Sequence, residues 1–363
     1  MDVAGEPPAT AAATPPGRLP PLVIANPAAH GGRARDEVEA IVTALQERIG
    51  AVDLALTEHA GHASALARRA VLERRTLVVS VGGDGVLNEV VNGLLTAPTP
   101  GGRAQAAPSR RTPGGPPDPD ALPALGLVAA GTGGDLGRSL GIAAQRDAYI
   151  SAVAHGRPRP VDVGLARFRG PDGSQTERFF VNVLSAGIGG LVDRYAAALP
   201  ATVPGRAAYG VAALAAVAAC RRRRLRCRAV LGDGSVLERE LHTYAVVVAN
   251  GHTFGGGMRV APAARVDDGL FDVVLFEPPS KLTLVRHFPT IYSGRHLTKP
   301  GVSSFTCRRL ELSPCPATAA APAPHDLRRE LFPLDVDGDA LGDLPLAVEV
   351  WPRCLRVLSP DAA

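Results

Sequence analysis

The chain has 363 residues, 46% of them hydrophobic and only 4% aromatic, so its cores must be built mainly from Ala, Val and Leu. Its 39 Lys+Arg against 35 Asp+Glu leave a net charge of +4, too mild to argue for nucleic acid and suited to phosphates or an anionic membrane surface. Five cysteines (Cys220, Cys227, Cys307, Cys315 and Cys354) form no CxxC pair, which argues against a zinc motif and a disulfide framework. No stretch offers the ~20 strongly apolar residues of a membrane-spanning helix.

Residues 1–20 are rich in Pro, Ala and Thr and predict a disordered tail, neither signal nor transit peptide. The length then predicts two domains. Residues 21–157 read as an α/β nucleotide-binding domain. Strand 21–25 (PLVIA) is followed by the loop NPAAHGG and a helix over 35–49. VDLALTE predicts a strand, GHASALARRAVLE a helix, and the β-branched run 76–81 (TLVVSV) a buried parallel strand. GGDG ends that strand, and VLNEVVNGLL continues as a helix. Residues 97–121 read as a surface loop insertion. LGLVAA then predicts a strand, GTGG a turn, and DLGRSLGI the opening of a helix.

Residues 158–350 read as a β-rich domain. VDVGLARF, RFFVNVLSAG, LRCRAVL, TYAVVVAN, MRVAP and GLFDVVLFE predict strands separated by turns, the pattern of an antiparallel sandwich. One helix is expected over 207–222 and a second loop insertion over 313–323. The segment from 333 onward is again β, and the tail 351–363 can return to the first domain. The cleft between the domains is the expected active site.

Three glycine turns carry the chemistry. Asn26-Pro27 through Gly31-Gly32, Gly82-Gly83-Asp84-Gly85, and Gly131-Thr132-Gly133-Gly134-Asp135 each stand where a strand ends and a helix begins. Ligands in open α/β sheets bind at the carboxyl ends of strands. Glycine lets the backbone approach a phosphate there, and helix N–H groups hold the anion. One such turn is ordinary punctuation; three at successive strand ends predict nucleotide binding. No G-x-x-x-x-G-K-[ST] or helix-opening G-x-G-x-x-G is present, so neither a Walker-type nor a Rossmann site is expected. Nine histidines show no HExxH spacing.

The ordered set NPxxGG, GGDGxxNEVVNGL, GTGxDLxRxLGI, ANGxxFGGGMRVAPxAxxDDGLFDVV and a late VDGD resembles the diacylglycerol kinase catalytic-domain family. That family includes bacterial diacylglycerol kinases and their sphingosine and ceramide kinase relatives. The resemblance spans about residues 20–360 apart from the two insertions. It implies an N-terminal α/β domain of the NAD kinase and phosphofructokinase type, a C-terminal antiparallel β sandwich, and ATP with Mg²⁺ in the cleft. It places Asn26, Pro27, Gly31, Gly32 and Arg33 in the first nucleotide-binding element. Gly82, Gly83, Asp84 and Gly85 fall in the phosphate loop, with Asn88 and Glu89 in the next helical turn. Gly131, Thr132 and Asp135 fall in the third loop, where Asp135 can also cap a helix. Asp268, with the carbonyls of Arg265 and Leu270, matches a structural Mg²⁺ site. Asp267-Asp268-Gly269 reads equally well as a hairpin turn.

The general base is expected at Asp339, where the family's D-G-E has become Asp337-Gly338-Asp339, or at Asp84. Val86 stands where GGDGT has Thr, and Gly134 where GTxND has Asn. The implied activity is phosphorylation of a lipid hydroxyl, diacylglycerol first. A kinase of a soluble acceptor that shares GGDG, and a nucleotide- or lipid-binding regulator, are the alternatives. Expected partners are the membrane lipid and an anionic bilayer met peripherally from the cytoplasmic side, with no nucleic acid and room for a homodimer. The run Arg221–Arg224, with Arg226 and Arg228, reads as a helix C-terminus where cations are favourable, or as a contact for lipid headgroups.

Overall fold

The computed structural model describes residues 19–27, 34–98, 115–130, 134–199, 205–315 and 332–361. The tail 1–18, most of both insertions, Gly31, Gly32, Arg33, Gly131 and Thr132 lie outside them.

Three short parallel pairings begin the fold. β1 (Leu22–Ala25) lies between β2 (Asp53–Leu56) and β3 (Leu77–Gly82), and β3 pairs with β4 (Ala124–Ala129), all parallel. β1, β3 and β4 are apolar and almost wholly buried, as strands covered on both faces must be. Their cover is α1 (Ala34–Ile49), α2 (His62–Leu72), α3 (Asp84–Leu95) and α5 (Arg146–His155), with the five-residue α4 (Asp135–Ser139) between. The helix expected from DLGRSLGI is thus two helices, broken where Gly141 takes φ 78°. α2 and α3 pack closely at Gly93, where a Cβ would stand 2.3 Å from the Ser64 carbonyl oxygen.

The second half is antiparallel. Its strands are β5 (Arg157–Arg169), β6 (Gln175–Phe180), β7 (Val183–Gly187), β8 (Arg223–Leu231), β9 (Val236–Thr243), β10 (Ala245–Ala249), β11 (Phe271–Phe276), β12 (Val302–Pro314), β13 (Leu334–Val336) and β14 (Asp339–Ser359). RFFVNVLSAG is therefore two strands, β6 and β7. MRVAP is no strand; only the bridge Phe254–Met258 forms in that loop. Two helices went unseen in the sequence, α6 (Ile188–Ala197) and α8 (Lys281–Ile291). The expected helix over 207–222 is α7 (Gly205–Ala219), which stops before the arginines. Arg223, Arg224, Arg226 and Arg228 run along β8 instead. Arg224 and Arg228 pair with Glu240 and Glu238 across the ladder.

β14 joins the halves. Its 21 residues pair with β13, β12 and β5 antiparallel, and at Val357–Leu125 with β4 in parallel. A strand this long cannot stay straight beside a twisted sheet. It shifts register between Trp351 and Leu355, with Arg353 at φ 52°. One carboxylate pins this bulge: Asp162 accepts the Arg353 N–H at 2.7 Å and the Gly269 N–H at 2.6 Å.

Candidate active site

Asp84 is the first residue of α3, directly after β3. Its Oδ1 accepts the Gly134 N–H at 3.2 Å, which brings the second and third glycine turns together. Gly134 is left-handed (φ 89°), and a Cβ there would meet the Tyr149 hydroxyl at 2.7 Å. Glycine in place of the family's Asn is thus required by packing, and the backbone N–H supplies the contact. Burial pushes the Asp84 carboxyl up to about 6, and the charge of Asp135 adds to the push. Val86, standing for Thr, packs its methyls against Gly82.

Asp135 is almost fully buried and fully engaged. It accepts from Arg138 at 2.7 Å and from the Gly256 N–H at 2.8 Å, and its carbonyl takes the Thr253 hydroxyl at 3.2 Å. It therefore fastens the third glycine turn to the GGG loop of the β-rich half.

Asn88 is completely buried. Its Nδ2 donates to the Phe179 carbonyl and to Asp337, both at 2.9 Å, and its Oδ1 accepts from Asn92. It joins α3 to the β-rich half and holds no free polar atom for a nucleotide. Glu89 points elsewhere. It accepts the Gly61 and Ala63 N–H groups at 2.8 and 3.1 Å, so it caps α2 from a neighbouring helix.

Asp337, which the sequence offered only as part of a turn, is the hub. It is buried, with φ 51°, and collects Asn88 Nδ2 and the N–H groups of Val181, Asn182 and Val183 at 2.9–3.0 Å. Burial raises its carboxyl even so, opposed by those donors. Asp335 accepts the Gly338 N–H at 2.7 Å and closes the turn. The signal was present as alternation in Asp335-Val336-Asp337-Gly338-Asp339, but alternation alone does not say which carboxylate is clamped.

The turn delivers Asp339 to the start of α3. Its Oδ1 lies 3.7 Å from where a Cβ on Gly85 would stand, beside Asp84. Arg178 approaches Oδ2 at 3.3 Å, and the side chain is 40% exposed. Burial raises the Asp339 carboxyl, with Arg178 opposing. Asp339 thus faces Gly85 in the first turn of the helix that Asp84 begins, from the opposite half of the chain. Asn26 and Pro27 end β1 on the same edge of the parallel sheet.

The DDG turn forms a second acidic group. Asp267 is paired with Arg159 and Arg265, which hold its carboxyl below the ordinary value. Asp268 accepts the Leu270 N–H at 3.0 Å and is otherwise open to solvent. Burial and the Asp268 charge push Asp272 up to about 6. That pair is negative charge without a compensating base. Among the described residues no three His, Cys, Asp or Glu side chains could hold a metal together. A hard cation here would need backbone carbonyls as well.

Comparison with known proteins agrees with this geometry. Residues 20–166 match the diacylglycerol kinase catalytic domain, and residues 182–359 match the YegS C-terminal NAD kinase beta sandwich-like domain. The chain thus carries a diacylglycerol kinase catalytic domain followed by a YegS-type β sandwich-like domain. Among its curated relatives is the diacylglycerol kinase of Mycobacterium tuberculosis (strain CDC 1551 / Oshkosh), 27% identical over 93% of this chain and 94% of the relative. That of Bacillus subtilis (strain 168) is 25% identical over 84% of each. A crystal structure of a diacylglycerol kinase from Bacillus anthracis str. Sterne covers 94% of this kinase and 97% of its own chain. Its TM-score is 0.61 at 18% identity, a likeness of fold. The kinase combines an α/β domain with a β sandwich-like domain, as its sequence resemblance implied, and ATP is the phosphate donor that such a family implies.

Proposed function

We propose that this kinase transfers the γ-phosphate of ATP to the hydroxyl of a membrane lipid, with diacylglycerol as acceptor and phosphatidic acid as product. The observation that carries the reading is Asp339 facing Gly85 at the N-terminus of α3, the helix that Asp84 begins. The neighbouring polar groups are already engaged: Asp135 with Arg138 and Gly256, Asn88 and Asp337 with each other and with backbone. Two carboxylates are left for chemistry.

The first turns of α3 present N–H groups to the phosphates. Asp339, held by a rigid turn and partly open to solvent, accepts the proton of the acceptor hydroxyl. That oxygen forms the new bond to the γ-phosphorus as the bond to the β-phosphate oxygen breaks, and ADP leaves. Asp84 would hold Mg²⁺ beside the phosphates, and Asp268 a structural one. A bound Mg²⁺ supplies positive charge to the phosphate oxygens. An uncompensated carboxylate pushed up to about 6 fits a cation-binding role at Asp84.

No helix among the described residues is long and apolar enough to cross a membrane. The acceptor would be reached peripherally from the cytoplasmic side. The deciding experiment measures phosphate transfer from radiolabelled ATP in mixed micelles to diacylglycerol, monoacylglycerol, sphingosine, ceramide and NAD. Labelled phosphatidic acid, lost in Asp84→Ala and Asp339→Ala, is the expected result. Labelled NAD would replace the lipid reading with a soluble acceptor. ATP binding without transfer to any acceptor would make the protein a nucleotide-binding regulator.

A further inference from the structure

α6 and α8 lie over the strands β7, β10 and β11, and α7 packs on α6. Ile188 and Leu191 of α6 and Leu284 and Ile291 of α8 pack into one apolar cluster with Val247 and Val274. A helix that buries one face normally shows water a polar one. α8 does not. Opposite its buried Leu284, His287 and Ile291 it exposes Leu282 (59%), Val285 (44%) and Phe288 (37%), and Tyr292 follows at 53%. α7 adds Val211 and Leu214, the latter 74% exposed, and from 207 to 220 the chain has no charged residue. Lys281 Nζ donates to the Ala218 carbonyl at 2.5 Å, so the end of α7 adjoins the start of α8. Six of the ten large hydrophobics exposed among the described residues therefore belong to this helical layer. A patch of that kind marks an interaction surface.

Charge selects the partner. Residues 278–310 contain no Asp or Glu but six bases: Lys281, Arg286, Arg295, Lys299, Arg308 and Arg309. Arg286 and Arg295 are exposed on and just beyond α8. A second copy of this chain, docked face to face, would bring two such basic rims together. Anionic headgroups would neutralise them while the apolar side chains enter the acyl boundary. We propose that the outer face of α7 and α8 is the surface by which this protein docks on an anionic bilayer. This rests on the reading of the acceptor as a membrane lipid, and it moves the contact away from the arginines of β8, two of which pair with Glu238 and Glu240.

The test is co-sedimentation with vesicles of phosphatidylcholine alone or mixed with phosphatidylglycerol. The full chain should partition to the mixed vesicles. The combined variant Leu282→Ser, Val285→Ser, Phe288→Ser, Tyr292→Ser should lose about tenfold or more of that partitioning. Arg286→Gln and Arg295→Gln should each cost roughly fivefold, on anionic vesicles only. In Phe288→Trp, tryptophan emission should shift to the blue when mixed vesicles are added. Unchanged partitioning of the combined variant, or no emission shift, overturns the proposal. So does light scattering that shows a dimer dissolved by the same substitutions while vesicle binding persists. Transfer to a short-chain acceptor below its micelle threshold should survive in all these variants. If the wild type phosphorylates no lipid yet still sediments through this face, the docking surface stands and the lipid-kinase reading fails.

Discussion

Two acidic groups in this molecule look alike in sequence and differ in how their charge is treated. Around Asp335–Asp339 and α3, backbone N–H groups and the Asn88 amide clamp Asp337, Arg138 and the Gly256 N–H hold Asp135, and Asp84 and Asp339 are held more loosely, by the Gly134 N–H and by Arg178. At the DDG turn, arginines neutralise Asp267 while Asp268 and Asp272 are left over. The first group shapes a rigid scaffold beside the two carboxylates proposed for the chemistry. The second uses ion pairs at a half-exposed surface, which are weak and adjustable. The lesson is that charge left uncompensated, rather than charge as such, shows where a cation or a proton is handled.

The comparison can be broken most sharply at Asp339. Asp339→Ala should lower the rate of phosphate transfer by roughly 10²–10⁴-fold, the range for a positioned general base, with the fold intact. An unchanged rate would shift the base to Asp84.

Asp84→Asn should lower transfer by about 10²-fold or more. Its raised carboxyl also fixes a sign. The penalty for charging it is absent below about pH 4, grows as pH rises, and is complete above about 6. Asp84→Asn should therefore raise the melting temperature more at pH 8 than at pH 5. Wild-type transfer should rise through about pH 6. A melting temperature shifted equally at both pH values would show that Asp84 is not the strained group.

Asp337→Asn tests the scaffold. Asparagine offers one acceptor oxygen where the carboxylate has two, and turns an N–H₂ toward backbone donors. It should cost about 1–3 kcal/mol of stability and reduce kcat roughly tenfold through Asp339. A double cycle with Asn88→Ala should be non-additive, because the two share a hydrogen bond.

At the second group, Asp268→Ala should abolish a magnesium-dependent rise in melting temperature while changing transfer much less than Asp84→Asn. The smallest effect belongs to Glu89→Gln, which weakens the cap on α2 by about 0.5–2 kcal/mol with kcat unchanged. A large drop in kcat would return Glu89 to the nucleotide site.

Much of this was legible. Apolar runs bounded by glycine gave β1, β3 and β4, because a strand buried on both faces has nothing polar to confuse the period. The helices α6 and α8 were not legible. α8 is apolar on both faces and holds Pro289, so it lacks the one-sided stripe that marks a surface helix. The arginines after Cys220 looked like a helix end because a run of one charge has no period. From Arg223 onward they lie in a strand, where Arg224 and Arg228 pair with Glu240 and Glu238 across the ladder. Asn88 and Glu89 sat in a nucleotide motif and are turned to structural work by partners 91 and 28 residues away.

The sequence by itself determined the α/β beginning, the β-rich remainder, the glycine turns and the acidic residues beside them, because strand period and turn chemistry are local properties of the chain. Only the tertiary structure decided which of those carboxylates are enclosed. Asp337 and Asp339 are two residues apart, yet one is enclosed by four donors and the other faces Gly85 across the junction of the two halves. Hydrogen-bond satisfaction depends on what the fold brings near, and that is written in no short stretch of sequence.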